Sequence, residues 1–222
     1  MIILVGFAIL IASLTGCGGG SSTDESNGTI TATQTVPTIA SDFKIDITNV
    51  QGYDVTDPIE DQYLAVINYL RSLRIKCDDP HAVSGPSDSD MQWNTFLADA
   101  ATEHSEDMKL SDHYAHDGSG TSNDITGQTF TPVRASKFYE RISRNGYTGT
   151  STAENIAIAM SSPTSPPANQ WITVMEECMT STSGHCSNIM SSDLTEFGMH
   201  ESRADVNTTG WYKVYWTQNF GG

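Results

Sequence analysis

The sequence predicts an α+β domain in which helices pack against a small, mainly antiparallel sheet. Apolar residues spaced by three and four dominate the first half of the folded region, while short alternating or β-branched runs dominate its end, with one helix between them. At 222 residues with a hydrophobic fraction of 37%, the chain can core one domain of ordinary size and carry an appendage.

Three segments join a capping residue to proline, Asp57-Pro58, Thr131-Pro132 and Ser165-Pro166, and each reads as a helix start. The side-chain oxygen accepts an orphan amide hydrogen, and proline at the first helical position gives up a donor that has no partner there. After Asp57, residues Tyr63, Leu64, Ile67, Leu70 and Leu73 form one apolar face. A further helix is expected from a Ser89/Gln92 capping box through Trp93, Leu97, Ala100, His104 and Met108. The helix opened by Thr131 should stop at Asn145-Gly146, a pair suited to left-handed backbone. Strands are expected over Glu154 to Ala159, Thr195 to Glu201 and Tyr212 to Phe220.

Ahead of this domain, residues 1–16 form an uncharged apolar run too short for a permanent bilayer span, and Leu14-Thr15-Gly16-Cys17 resembles a lipobox. The expectation is a cleaved signal peptide and a mature protein anchored to the cell envelope by acyl chains on Cys17. Gly18 after that cysteine resembles the outer-membrane sorting pattern; plain secretion is the alternative. Residues 17–56 are rich in Gly, Ser and Thr and read as a flexible tether, reaching on the order of 35 Å for about 39 residues. Within it, Phe43-Lys44-Ile45-Asp46-Ile47 alternates like a strand.

Charge excludes one class of partner. With 11 basic against 27 acidic residues the net charge is −16, so nucleic acid phosphates and anionic lipid headgroups would be repelled. Export would place Cys77, Cys178 and Cys186 in an oxidising compartment, where spacing alone leaves three pairings open.

The chemistry-bearing residues fall in four segments: His113-Tyr114-Ala115-His116, Glu154-Asn155-Ile156-Ala157, Gly184-His185-Cys186-Ser187-Asn188-Ile189-Met190, and Thr195-Glu196-Phe197-Gly198. In that order, and closed by Tyr215-Trp216-Thr217-Gln218-Asn219-Phe220-Gly221, the chain from Asp57 onward (57–222) resembles the bacterial branch of the CAP (SCP-like) superfamily. The resemblance implies an α-β-α sandwich with a shallow cleft lined by His116, Glu154, His185 and Glu196. It also implies a Cys77–Cys186 disulfide, with Cys178 left as a buried thiol on a helix face shared with Val174 and Met175 and a local Cys178–Cys186 bridge as the rival.

The four cleft residues taken alone are two imidazoles able to act as ligands or bases and two carboxylates able to orient them. His116 and His185 are the candidate ligands of a divalent metal such as zinc. Stable catalytic zinc takes three protein ligands, so two histidines would hold it weakly unless a glutamate joined them. A hydrogen-bonded structural network is the competing reading. His104 reads as a hydrogen-bonded core residue, and His81 and His200 as solvated surface. The polar loop 117–130 borders the cleft and would set access to it. Ser183 and Ser187 are the serines nearest His185, and neither sits in a nucleophile elbow.

Three functions remain open at this point. One is an envelope-tethered binding module that recognises a lipid, peptide or envelope component. Another is a metal-dependent hydrolase using His116, His185, Glu154 and Glu196. The last is a structural or adhesive surface protein.

Overall fold

The structure is a computed structural model that describes residues 38–78, 89–161, 170–204 and 212–222. The apolar leader, Cys17, His81 and the Ser165-Pro166 helix start lie outside the described residues.

Among the described residues the α-helices and strands are α1 (Ile59–Ser72), β1 (Gln92–Trp93), α2 (Thr95–Ser111), α3 (Phe138–Arg144), β2 (Thr152–Ser161), α4 (Gln170–Thr180), α5 (His185–Met190), β3 (Glu196–Ala204) and β4 (Tyr212–Gly221). The sheet order is β1-β3-β4-β2. β4 runs antiparallel to both β2 and β3, and only the two-residue β1 is parallel to its neighbour. Glu154 opposes Asn219, which opposes Gly198, so these three share one face; Asn155, Gln218 and Met199 share the other.

Helices cover both faces, as expected for the α-β-α sandwich. On one side Leu97 and Ala100 of α2 pack with Ile142 of α3, while Met108 of α2 packs with Ile156 and Tyr215. On the other, Val66, Ile67 and Leu70 of α1, Val174, Met175 and Cys178 of α4 and Ile189 of α5 enclose Phe197, Trp216 and Phe220. Burial on both faces explains why β4 is buried without alternation from Val214 onward. The α2 contact is backbone-close. A Cβ on Gly198 would sit 2.2 Å from the Ala98 amide nitrogen, so only glycine lets the helix lie on the sheet there.

Several helix starts differ from expectation, each for a local reason. Ser89 does not open α2: Gln92 and Trp93 pair with Glu196 and Phe197 instead, and Asn94 caps the helix by accepting from the Phe96 and Leu97 amides at 2.9 and 3.3 Å. Thr131-Pro132 does not open α3. The chain after it is drawn to the Asp124 carboxylate, which accepts the Ser136 amide at 2.8 Å, and α3 starts only at Phe138. Its end at Asn145-Gly146 is as expected, with Gly146 at φ 103°. α1 starts just after Asp57-Pro58, but the clasp is Gln62 Nε2 donating to the Asp57 carbonyl at 2.8 Å, with no side-chain cap.

Ordered packing also begins ahead of Asp57, inside the stretch read as tether. Ile45 and Val50 are buried in the main core, the Ile45 amide donates to Glu176 Oε1 at 2.8 Å, and Lys44 Nζ reaches Glu176 Oε2 at 2.8 Å. The alternation at Phe43 to Ile47 is enough to turn Ile45 inward, which anchors this stretch on α4.

The Cys77–Cys186 disulfide is formed, with its Cα atoms 5.7 Å apart, and Cys178 is a buried free thiol. The bridge ties the end of α1 to α5. A second tie runs parallel to it: buried Arg71 of α1 donates from Nη1 to the Ile189 and Ser191 carbonyls at 2.7 and 2.9 Å, satisfying orphan acceptors at the end of α5.

Candidate functional site

Site construction starts on α2, whose sheet-facing side carries polar groups where a simple amphipathic helix would be apolar. Glu103 and Asp107 face the loop that follows. Glu103 accepts the Thr126 amide at 2.8 Å and Asn145 Nδ2 at 2.9 Å; Asp107 accepts the Ser119 amide at 2.8 Å and its hydroxyl at 2.6 Å. Asp124, at the loop's centre, accepts the amides of Gly127, Ser136 and Gly120. Burial pushes its carboxyl up, and these bonds, with the Ser136 hydroxyl, together outweigh it and hold the group below the usual carboxylate range. Cβ atoms on Gly118 or Gly127 would meet that carboxylate at 2.2 and 2.4 Å, so the loop closes only around glycine. Three buried or half-buried acids thus replace an apolar core in shaping residues 113–136.

The loop presents His116 to the sheet. His116 Nδ1 contacts Glu154 Oε1 at 2.9 Å, and Arg141 Nη2 donates to the other oxygen, Oε2, at 2.9 Å. Arg141 is itself 1% exposed and also donates to the carbonyls of His116 and Ser136. Burial pushes the Glu154 carboxyl up, and the Arg141 charge together with His104 and the His116 hydrogen bond outweighs it, holding the group well below the usual carboxylate range. Glu154 is therefore an anion at any physiological pH. Since a carboxylate only accepts, His116 donates Nδ1–H to it, and a neutral ring keeps its lone pair on Nε2. The His116 side chain is 31% exposed, and Nε2 has no partner among the described residues.

The sequence-derived set is only partly brought together. His116 and Glu154 form a direct pair, and His113 is exposed past the end of α2. His185 starts α5 and is buried; its carbonyl accepts from Asn155 Nδ2 at 3.2 Å, and Asn188 on the same helix reaches Asn155 Oδ1 at 2.8 Å. Glu196 is not at this pair. It lies two strands and two residues from Glu154, on the order of 12 Å between Cα atoms from strand spacing and rise. Its oxygens are taken by Tyr147 Oη at 2.7 Å and Asn94 Nδ2 at 2.8 Å. Glu196 fastens the α2 cap and the turn after α3.

Arg141 is the residue that sequence reasoning missed. The signal was its position on the apolar stripe of α3, three after Phe138 and beside Ile142, where a guanidinium needs a buried carboxylate. His200, read as solvated, is half-buried with Nδ1 2.7 Å from Ser105 Oγ.

The donor set does not fit a zinc site. Among the described residues no group of three or more His, Cys, Asp or Glu side chains is disposed to hold a metal. The carboxylate beside His116 is neutralised by Arg141, whose charge would oppose a dication.

His104 lies under this pair and is wholly buried. Nε2 donates to the Ala115 carbonyl at 2.9 Å, and Nδ1 has no partner. Desolvation, then the charge of Arg141, pushes its pKa down to about 3. Between that value and the unfolded value of about 6.5 the unfolded chain binds one more proton, so stability falls as pH is lowered through this window. A loss of about 2 kcal/mol is expected between pH 6.5 and 5. Urea midpoints at pH 7.5, 6 and 5 check it: a His104→Gln variant should flatten the slope, and an unchanged slope would reject the assignment. Glu154, with its lowered pKa, adds a separate loss only below about 4.5.

Comparison with known proteins now bears on this arrangement. Residues 64–220 match the CAP family, described as the cysteine-rich secretory protein family. The chain belongs to the CAP family. A search of curated proteins returned no match. In this CAP domain the matched region runs from within α1 to Phe220 near the end of β4, so the His116–Glu154 pair, the disulfide and nearly all of the sandwich lie on the family portion of the chain.

Proposed function

We propose that this CAP domain is a recognition module, displayed on the cell envelope from acyl chains on Cys17, whose ligand engages His116. One observation carries the reading. Both oxygens of Glu154 are committed, to His116 and to Arg141, which leaves that carboxylate unable to act as a base but fixes the imidazole with Nε2 outward. An oriented, outward acceptor beside a preformed polar loop suits a lipid, peptide or envelope component that offers a hydroxyl or amide donor. Residues 17–37 would carry the domain away from the membrane surface, which its net charge of −16 disfavours where lipids are anionic.

A hydrolytic role would use the same outward Nε2 as a general base. It needs a nucleophile there, and the described residues place no hydroxyl or thiol within hydrogen-bonding distance of Nε2.

Titration of the purified mature protein with envelope lipid extract and with peptidoglycan fragments tests the proposal. Saturable binding should weaken at least tenfold in His116→Ala, while an ester and peptide panel shows no turnover that this variant abolishes. Binding indifferent to His116→Ala would reject the recognition site, and His116-dependent turnover would replace it with the hydrolytic reading.

A further inference from the structure

At the opposite edge of the sheet from Glu154, a cleft of about 390 Å³ opens where β1 stops pairing with β3. β1 covers only Glu196 and Phe197, so β3 beyond them has no strand neighbour on that side among the described residues, and the first turns of α1 and α2 frame the gap. Tyr63, Trp93 and Met199 give the cleft apolar walls; Glu60, Asp99 and His200 give it polar ones.

Hydrogen-bond accounting fixes what those polar atoms can do. Ser202 donates its proton to Glu106 Oε1 at 2.7 Å, and Ser105 donates to the Thr102 carbonyl at 3.2 Å. The 2.7 Å contact between Ser105 Oγ and His200 Nδ1 competes with the Thr102 carbonyl for that single hydroxyl proton, so which atom donates follows the imidazole tautomer. His200 Nε2 has no partner among the described residues. Tyr63 is only 4% exposed, and its hydroxyl has no partner among them either. Glu60 and Asp99 are exposed and make no ion pair among the described residues, and no Lys or Arg lines the cleft. The third acid of the lining, Glu201, is already held by Arg203 at 2.5 Å, so two unpaired carboxylates and the Tyr63 hydroxyl converge above an apolar floor.

We propose that this cleft binds the primary ammonium group of a small alkylamine. The –NH3+ head has three donors for Asp99, Glu60 and Tyr63 Oη, and the methylene stem lies along Trp93 and Met199. A neutral alcohol of equal length supplies one donor and no charge, which is the basis of discrimination. This site is independent of His116 and of the recognition role given to it above.

The probes are n-pentylamine and pentan-1-ol, titrated by calorimetry and by NMR at physiological ionic strength, where general attraction to an acidic surface is screened. The amine should bind saturably at one equivalent, at least tenfold more tightly than the alcohol, and shift the Trp93 indole resonance. Glu60→Gln with Asp99→Asn should weaken it tenfold or more, and Tyr63→Phe severalfold while leaving the ring packed on Trp171, 5.0 Å away between centroids. His116→Ala should leave the amine affinity unchanged, so failure here is distinct from failure of the recognition role. Equal affinity for the alcohol, binding that does not saturate at one equivalent, or indifference to the double carboxamide variant would each overturn the assignment.

Discussion

Arg141→Met is expected to destabilise the domain by about 3–5 kcal/mol, because it strands the buried Glu154 carboxylate without its cation. Glu154 is 6% exposed and would keep only His116, while the His116 carbonyl loses its donor and the Ser136 carbonyl keeps only the Gly118 amide. Denaturant titration at pH 7 reads the loss as a lowered midpoint at unchanged slope. The loss should also depend on pH in a definite direction. Without Arg141, burial, the largest influence on Glu154, is opposed only by His104 and His116 and is expected to push the pKa above its unfolded value, so the folded state binds the extra proton and stability falls as pH rises through that interval. The variant's deficit is then smaller at pH 5 than at pH 8. Pairing Arg141→Met with Glu154→Leu removes the stranded charge and should recover part of the loss, since an apolar pair is often tolerated where half an ion pair is not. A loss below about 1 kcal/mol with no pH dependence would show that the pair is solvated, and the argument for an oriented His116 would fail with it.

The contrast between Arg141 and Glu196 shows what the sequence could reveal. Strand pattern and helix stripes located the sheet and most core positions, because burial of apolar side chains repeats with the period of the element that carries them. Tyr63, Ile67 and Leu70 on α1 and Val174, Met175 and Cys178 on α4 are all buried where their spacing put them. Helix starts were less legible. Ser89 and Asn94 are chemically comparable caps five residues apart, and the decision went to the one that left Gln92 and Trp93 free to pair with β3. Only tertiary contact makes that choice.

Site residues divide along the same line. His116 and Glu154 were legible because each stands in a short motif of the CAP resemblance, and the structure joins them at 2.9 Å. Glu196 stands in an equally clear motif, but its Thr-Glu-Phe-Gly string records how β3 begins and how Gly198 admits α2, not a cleft. The acids that shape the loop, Glu103, Asp107 and Asp124, bind backbone amides, and a carboxylate's preference for amides leaves no spacing rule in sequence.

Loss of the Cys77–Cys186 bridge is the other large effect. The two cysteines are 109 residues apart, so opening the bridge restores a long closed loop's freedom to the unfolded chain, about 4.7 kcal/mol in the entropic account. For a domain of this size that lowers Tm on the order of 10 °C or more, read by thermal unfolding of the Cys77→Ala, Cys186→Ala variant beside the parent. The folded state should change far less. Arg71 still holds the Ile189 and Ser191 carbonyls, so α5 stays docked on α1, and far-UV circular dichroism at room temperature should match the parent. Cys178 should not step in as a substitute partner in the reduced parent protein. It is 2% exposed, and burial pushes its thiol up to about 12, so almost no thiolate is present to attack or to be alkylated while the domain is folded. Iodoacetamide applied to the reduced native protein should therefore spare Cys178. A fall in Tm of only a degree or two would mean that the reduced chain stays restrained by other means, and Arg71 would be the first residue to remove on the bridge-free background.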